Sequence, residues 1–295
     1  MKILITGKNG QVGRDLTKTA PQDVEVIACD RIELDITDAG RVADIVAEHR
    51  PDVIINTAAY TAVDKAESEP EAARAVNADG AANLAEAAKA AGSTLIHLST
   101  DFVFDGSKSS PWQPDDAVNP LGEYGRGKAE GEKRVREIAG EQAIIVRTSW
   151  VYSVGGRNFV KTMLELMGKQ DILRVVSDQV GSPTWSKNLA IMLWVFVKNK
   201  VPAGIYHWSD LGVASWYDFA VAIHEEARQL GLLHDEVSIL PITTADYPTP
   251  ARRPPYSVLD TTANRKVWGV KAEHWRHALR RMLAELQEAT KFPGE

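Results

Sequence analysis

A doubly wound α/β fold, with a parallel sheet and a smaller, partly interleaved C-terminal subdomain, is what this sequence predicts. Three observations predict it. Strand-like and helix-like segments alternate from Lys2 to Thr148, the pattern of a parallel sheet covered on both faces. A glycine-rich turn, Gly7-Lys8-Asn9-Gly10-Gln11-Val12-Gly13, joins the first strand to the first helix. The regular alternation loosens after about Gly156.

The elements follow in order. Lys2 to Thr6 is a short apolar strand, and a helix runs from the glycine turn through Lys18. Val24 to Ala28 is a second strand. Asp38 starts a helix to His49, with Val42, Ile45 and Val46 at helical spacing. Val53 to Asn56 is a third strand. Pro70 to Ala91 is an Ala-rich helix stopped by Gly92. Thr94 to Leu98 is a fourth strand, which carries Thr100 at its C-terminal end. Pro120 to Ala139 is a helix, and Ala143 to Thr148 the next strand. Helices then cover 158–167, 185–198 and 215–230, with a strand at 204–207. Four prolines between Ala245 and Pro255 exclude regular structure there. Helices at 261–267 and 273–287 close the chain. The expected division is a dinucleotide-binding part at 1–170, to which the chain returns around 203–230, and a second subdomain mainly at 171–295.

Composition bounds the function. The chain has 295 residues, 44% hydrophobic and 25% charged, as in ordinary globular proteins. A net charge of −6 and a pI near 5.7 argue against nucleic acid as partner. No apolar run is long enough for a membrane span, and no signal peptide precedes the first strand. The expected location is the cytoplasm. The single Cys29 excludes an internal disulfide and a multi-cysteine metal site. The seven histidines show no metal spacing. His97 reads as a core histidine, and Asp115-Asp116 and Glu225-Glu226 as solvated faces. Trp194 and Trp216 fit helix packing, whereas Trp150 sits at a strand end.

The chemistry concentrates at the C-terminal ends of the strands, where doubly wound sheets place their sites. Tyr124 and Lys128, four apart on a helix, share one face. The ammonium can act on a phenol whose ordinary pKa, about 10, is too high for easy proton transfer near neutrality. The Thr100 hydroxyl can hold the oxygen being protonated. Such a site moves a proton while a hydride moves elsewhere. The glycine turn lets backbone approach a pyrophosphate, and the helix N-terminus stabilises its charge. Its spacing is G-x-x-G-x-x-G rather than the commoner G-x-G-x-x-G. Arg252-Arg253 reads either as a phosphate clamp or as a solvated basic turn.

Together, Thr6-Gly7-x-x-Gly10-x-x-Gly13, Thr100 and Tyr124-x-x-x-Lys128 resemble the extended short-chain dehydrogenase/reductase superfamily. More narrowly, the chain is similar to the dTDP-4-dehydrorhamnose reductases. The similar stretches are 7–13, 56–67, 99–106, 147–152 and 247–254. The resemblance implies a Rossmann-like fold, a C-terminal substrate-binding subdomain, and NADPH or NADH as cofactor. It implies reduction of the C4 keto group of a dTDP-sugar, in dTDP-rhamnose biosynthesis for surface glycans. Gly7, Gly10, Gln11, Val12 and Gly13 would face the pyrophosphate. Asp35 and Ile36 would sit beside the adenine, and Ala58, Ala59 and Tyr60 beside the nicotinamide. Tyr124 would donate the proton. Lys128 would hold the nicotinamide ribose and lower the Tyr124 pKa. Thr100 would bind the same oxygen. Asp101 and Trp150 would contact the sugar nucleotide, and Arg252 its diphosphate.

Departures from the family pattern qualify this. Phe102 stands where members often have Tyr. Lys187 and Asp15 stand where some members have metal-binding carboxylates at a subunit contact, so no metal is expected. A homodimer would rest on other contacts. Phe102 also occupies the position of the acid that a 4,6-dehydratase needs. The Ser-x-Val-Tyr-Gly stretch of epimerases is absent. A reading from another class is a non-catalytic subunit like the regulatory partner of methionine adenosyltransferase. Reductase turnover discriminates it. Cys29-Asp30-Arg31 ends the second strand: Asp30 suits the ribose hydroxyls of NADH, while Arg31 and Lys8 suit the 2′-phosphate of NADPH.

Overall fold

The structure is a computed structural model, and it describes residues 1–269 and 271–291. Its first half runs β1 (Lys2–Thr6), α1 (Gln11–Lys18), β2 (Glu25–Cys29), α2 (Ala39–His49), β3 (Val53–Asn56), α3 (Val63–Ala66), α4 (Pro70–Arg74), α5 (Gly80–Ala91), β4 (Thr94–Thr100), α6 (Glu123–Ala139) and β5 (Ala143–Thr148). The second half runs β6 (Val151–Tyr152), α7 (Phe159–Met167), β7 (Ile172–Val176), β8 (Val180–Gly181), β9 (Thr184–Trp185), α8 (Ser186–Asn199), β10 (Gly204–His207), β11 (Ala214–Ser215), α9 (Trp216–Gln229), β12 (Ser238–Ile242), α10 (Thr262–Trp268) and α11 (Trp275–Lys291).

Six strands form the main sheet in the order β10-β5-β4-β3-β1-β2. Every pairing in it is parallel. The order reverses between β1 and β3, which opens a crevice at the carboxyl ends of those strands. Alternate strand residues feed two cores. Ile3, Ile5, Ile55, Ile96 and Ile144 face Leu16 of α1 and Leu189, Leu193 and Phe196 of α8. Leu4, Ile54, Leu95 and Ile145 face Val42 and Val46 of α2, Leu84 of α5 and Val135 of α6. A third core is built from Tyr152, Val160, Trp185, Phe219, Trp275, Leu279 and Met282.

These cores redraw the division expected at residue 170. Helix α7, on the N-terminal side of that line, packs in the third core. Helix α8, on the C-terminal side, covers the main sheet. Strand β10 joins the sheet beside β5, but α9 belongs to the third core. Burial decides these placements: α8 carries apolar residues on most sides and needs a sheet face to cover them.

The local signals mostly act as capping chemistry requires. Asp38 accepts from Arg41 N at the start of α2, and Asn158 from Lys161 N at the start of α7. Ser215 and Asp218 form a capping box on α9. The expected single helix from Pro70 to Ala91 is interrupted by a π-helical turn at Ala75–Asp79. α6 packs tightly there, since a Cβ on Gly131 would lie 2.2 Å from the Asn77 carbonyl oxygen. Short pairs missed by periodicity stitch the second half, notably parallel β7 and β12. Glu226 is not on a solvated face. It is fully buried, and Arg276 and Arg280 pair with it. Burial would raise its carboxyl, but those guanidinium groups hold it below the usual range. No helix among the described residues is long and apolar enough to cross a membrane.

Candidate active site

β1 ends in the turn that starts α1. Gly7 has φ +74°, and a Cβ there would lie 2.9 Å from Ala58 N, at the end of β3. Only glycine allows this left-handed backbone and this approach. A Cβ on Gly13 would lie 2.3 Å from the Gly7 carbonyl oxygen. Gly10 caps α1 without a side-chain hydrogen bond, so the first-turn N–H groups of Gln11, Val12 and Gly13 have no capping side chain. Val12 packs at the sheet core. The Gln11 side chain reaches across to the second half: its Oε1 accepts from Ser153 Oγ at 3.0 Å and from Asn158 Nδ2 at 3.1 Å. It braces the turn, leaving only its backbone to face a ligand.

A groove of about 470 Å³ runs from this turn, lined by Gly7, Gly10, Asp35, Ile36, Ala58, Ala59 and Tyr60 among others. A larger opening of about 1030 Å³ along β10 and the outer face of α6 contains none of these groups. Asp35 accepts from Thr37 N and Arg31 Nε, and Ile36 is buried against Gly80. The backbone of Tyr60 is clamped by Asn77: Tyr60 N donates to Oδ1 at 2.9 Å, and Nδ2 donates to the Tyr60 carbonyl at 3.0 Å. The π-helical turn supplies Asn77, which sequence reasoning missed because no periodicity marks such a turn. At the end of β2, Lys8 donates to Glu33 at 2.5 Å, while Asn9 Nδ2 donates to Asp30 at 3.0 Å.

Tyr124 lies in the first turn of α6, edge-on to Phe102 at 5.7 Å between ring centres. Burial pushes its phenol up to about 12, opposed by the Thr100 hydroxyl and reinforced by Asp101. The lowering expected from Lys128 does not govern here, because the ammonium is directed elsewhere. Its Nζ donates to the Leu98 carbonyl at 2.6 Å and lies 3.3 Å from His97 Nε2. Burial pulls Lys128 down to about 8, against the nearby Glu132. Thr100 donates to Asp101 Oδ1 at 3.0 Å and accepts from Phe102 N at 3.2 Å.

Asp101 is buried, and its Oδ2 has no hydrogen-bond partner. Burial pushes this carboxyl up to about 6, against the Ser257 and Thr100 hydroxyls. Its pKa in the unfolded chain is near 3.8. The folded state therefore retains the extra proton as pH rises from the unfolded to the folded pKa. Stability falls across that window and stays lower above it. Asp101→Asn is expected to be more stable than the wild type above about pH 6, by about 1–3 kcal/mol, with the gain shrinking toward about pH 4. Urea unfolding at the two pH values measures this; an equal midpoint shift at both would refute it.

Trp150 adopts φ +47° and stacks on Trp216, 3.5 Å between ring centres. Its indole lies on Gly181, where a Cβ would come within 2.5 Å. Trp216 thus belongs to this wall rather than only to helix packing. The two adjacent arginines separate. Arg253 binds Asp64 through both guanidinium nitrogens, at 3.0 and 2.8 Å, and latches the proline loop to α3. Arg252 is exposed. Asp15 accepts from Ser186, and Lys187 pairs with Glu285. No group of three His, Cys, Asp or Glu residues among the described residues has metal-binding geometry.

The structure therefore gathers Gly7, Gly10, Ala58, Ala59 and Tyr60 along one groove, with Thr100, Asp101 and Tyr124 clustered at the neighbouring strand end. A family model described as the RmlD substrate binding domain matches residues 1–288. A dTDP-4-dehydrorhamnose reductase of Aggregatibacter actinomycetemcomitans is 45% identical over 290 residues, 96% of this chain and 98% of the relative. A dTDP-4-dehydrorhamnose reductase of Clostridium acetobutylicum superposes with a TM-score of 0.91 at 43% identity, covering 97% of this chain and all of the other. One from Bacillus anthracis, in complex with NADP, gives 0.91 at 36% identity, covering 96% and 99%. The chain belongs to the RmlD substrate binding domain family, alongside the dTDP-4-dehydrorhamnose reductases.

Proposed function

We propose that this protein reduces the C4 carbonyl of dTDP-4-dehydro-L-rhamnose to give dTDP-L-rhamnose, with NADPH or NADH as hydride source and Tyr124 as proton donor. The observation that carries the reading is the Tyr124 phenol beside the Thr100 hydroxyl, at the end of a strand whose neighbours form the glycine-turn groove. The relatives named above support it with their names, and one of them binds NADP.

The residues fit a dinucleotide. The Cβ-free turn and the uncapped α1 N-terminus suit a pyrophosphate, held by backbone of Gly7, Gly10, Gln11 and Val12. Gly13 lets α1 start close to the turn. Asp35 and Ile36 wall the adenine end, and Ala58, Ala59 and Tyr60 the nicotinamide end. Bound there, the cofactor supplies hydride to C4. As charge builds on the C4 oxygen, Thr100 and Tyr124 donate to it, stabilising the transition state more than the ketone. The Tyr124 proton then passes to that oxygen and leaves a phenolate, with Lys128 one turn along α6. A phenol pushed up to about 12 is fully protonated at neutrality, the form that reduction requires. Asp101 and the Trp150–Trp216 wall would meet the sugar nucleotide, and exposed Arg252 its diphosphate. Phe102 has no proton to give, which disfavours a dehydratase.

Partners in this reading are small molecules, not nucleic acid or membrane. The working place is the cytoplasm, and a homodimer is the assembly that light scattering would test. Asp30 and Glu33 face Lys8 at the ribose end, with Arg31 nearby, so both dinucleotides should serve. The ratio of kcat/KM for NADPH over NADH is expected within about tenfold of unity, which is about 1.4 kcal/mol; a strict preference would sink this point. The main test follows absorbance of the reduced dinucleotide with the keto-sugar made in situ from dTDP-glucose. Consumption with dTDP-L-rhamnose as product supports the reading. Cofactor binding without turnover would favour the non-catalytic regulatory-subunit reading.

A further inference from the structure

A buried hydrogen-bond chain runs under the site from β1 through β3 and β4 to α6. Thr6 Oγ1 donates to Asn56 Oδ1 at 2.6 Å. Ala58 N donates to the same oxygen at 3.1 Å. A backbone N–H can only donate, so this oxygen is the amide's acceptor and Nδ2 is its donor end. Asn56 Nδ2 lies 2.9 Å from His97 Nδ1. Nδ1 must then accept, and a neutral ring carries its proton on Nε2. Burial holds the ring neutral, with the Lys128 charge adding to the effect. Nε2, the N–H side, faces Lys128 Nζ at 3.3 Å.

We infer that His97 is a positioning residue for Lys128: locked as the Nε2–H tautomer by Asn56, it presents a donor to the lysine nitrogen and favours the neutral amine over the ammonium. An ammonium has donors only, and it meets another donor here. A neutral amine has a lone pair that accepts from Nε2–H, and it can still donate to the Leu98 carbonyl. The opposing influences are few. Glu132, one turn along α6, favours the ammonium, but both its oxygens are occupied by Arg147 of β5. Tyr124, one turn earlier, is neutral at ordinary pH. Leu98 contributes only its carbonyl from β4. The chain thus connects the base of the glycine turn, through Thr6, to the group below the proton donor. Its catalytic meaning rests on the reduction proposed above, but the geometry does not.

The test needs no substrate. In protein labelled with ¹⁵N-histidine, His97 should show a pyrrole-type Nε2 and a pyridine-type Nδ1, unchanged from about pH 6 to about pH 9. In ¹⁵N-lysine protein, the Lys128 Nζ titration is expected to move up by about one pH unit in His97→Leu. His97→Gln should restore it, because its carbonyl can accept from Asn56 while its amide N–H faces Lys128. The high-pH limb of kcat/KM should move in parallel. An Nδ1–H tautomer, a ring that titrates in that range, or equal Lys128 titrations in the wild type and a folded His97→Leu would overturn the inference. If His97→Leu does not fold, the wild-type tautomer still decides it. Loss of reductase activity with the tautomer and titration as expected would count against the proposed reaction and not against this chain.

Discussion

Tyr124→Phe is expected to lower kcat by about 10²–10⁴-fold while leaving dinucleotide affinity within about twofold of the wild type. The substitution removes the phenol placed beside Thr100 and keeps the ring. Phe102 packs edge-on against that ring at 5.7 Å, and this contact survives, so the fold should hold. Only the proton donor and one donor to the developing oxyanion are lost. Both act in the transition state, so kcat and kcat/KM should fall together. Stopped-flow turnover and fluorescence titration of the dinucleotide measure the two quantities. Turnover near the wild-type level would assign the proton to another group. A large loss of cofactor affinity instead would mean that the phenol chiefly holds the ribose.

The second large effect concerns stability. Arg147 and Glu132 form a bidentate pair at 2.9 and 2.7 Å, and their side chains are only 2% and 5% exposed. Arg147 also lies over the Phe104 ring and donates to the Pro114 carbonyl. Removing one partner leaves an uncompensated buried charge. Arg147→Met is expected to cost about 3–5 kcal/mol. The double variant Glu132→Leu with Arg147→Met should recover much of that loss, because both desolvation costs disappear. Equilibrium urea unfolding of the two variants measures the difference. A loss below about 1 kcal/mol for Arg147→Met would show that water reaches the pair. The pair also supports the site, since Arg147 takes up the Glu132 charge that would otherwise act fully on Lys128.

The hydrophobic pattern and the glycine spacing were enough to place the doubly wound sheet. Runs such as Ile3-Leu4-Ile5 and Val53-Ile54-Ile55 can be satisfied only where both faces are covered. The positions of the Gly7 turn, Tyr124, Lys128 and Thr100 on their elements were legible for a related reason. Each is local in sequence or lies at a strand end that the alternation locates. The helix start at Asp38 belongs to the same class, because capping acts over three or four residues.

Tertiary structure decided what depends on contacts between distant residues. Nothing in the sequence near Asn77 announces that a π-helical turn will aim it at Tyr60. Nothing near Arg252-Arg253 says which of the two will be spent on Asp64. The two-residue strands β6, β8, β9 and β11 are too short to show periodicity, and the third core assembles from α7, α9 and α11 only when the chain has closed. Most of all, the protonation of the site was not legible. Local spacing predicted an ammonium acting on a phenol. The folded protein instead buries both, raising Tyr124 and lowering Lys128, and sets His97 between Lys128 and Asn56. Those shifts come from desolvation and from hydrogen-bond direction, and both arise only once three separate strands and a helix have met.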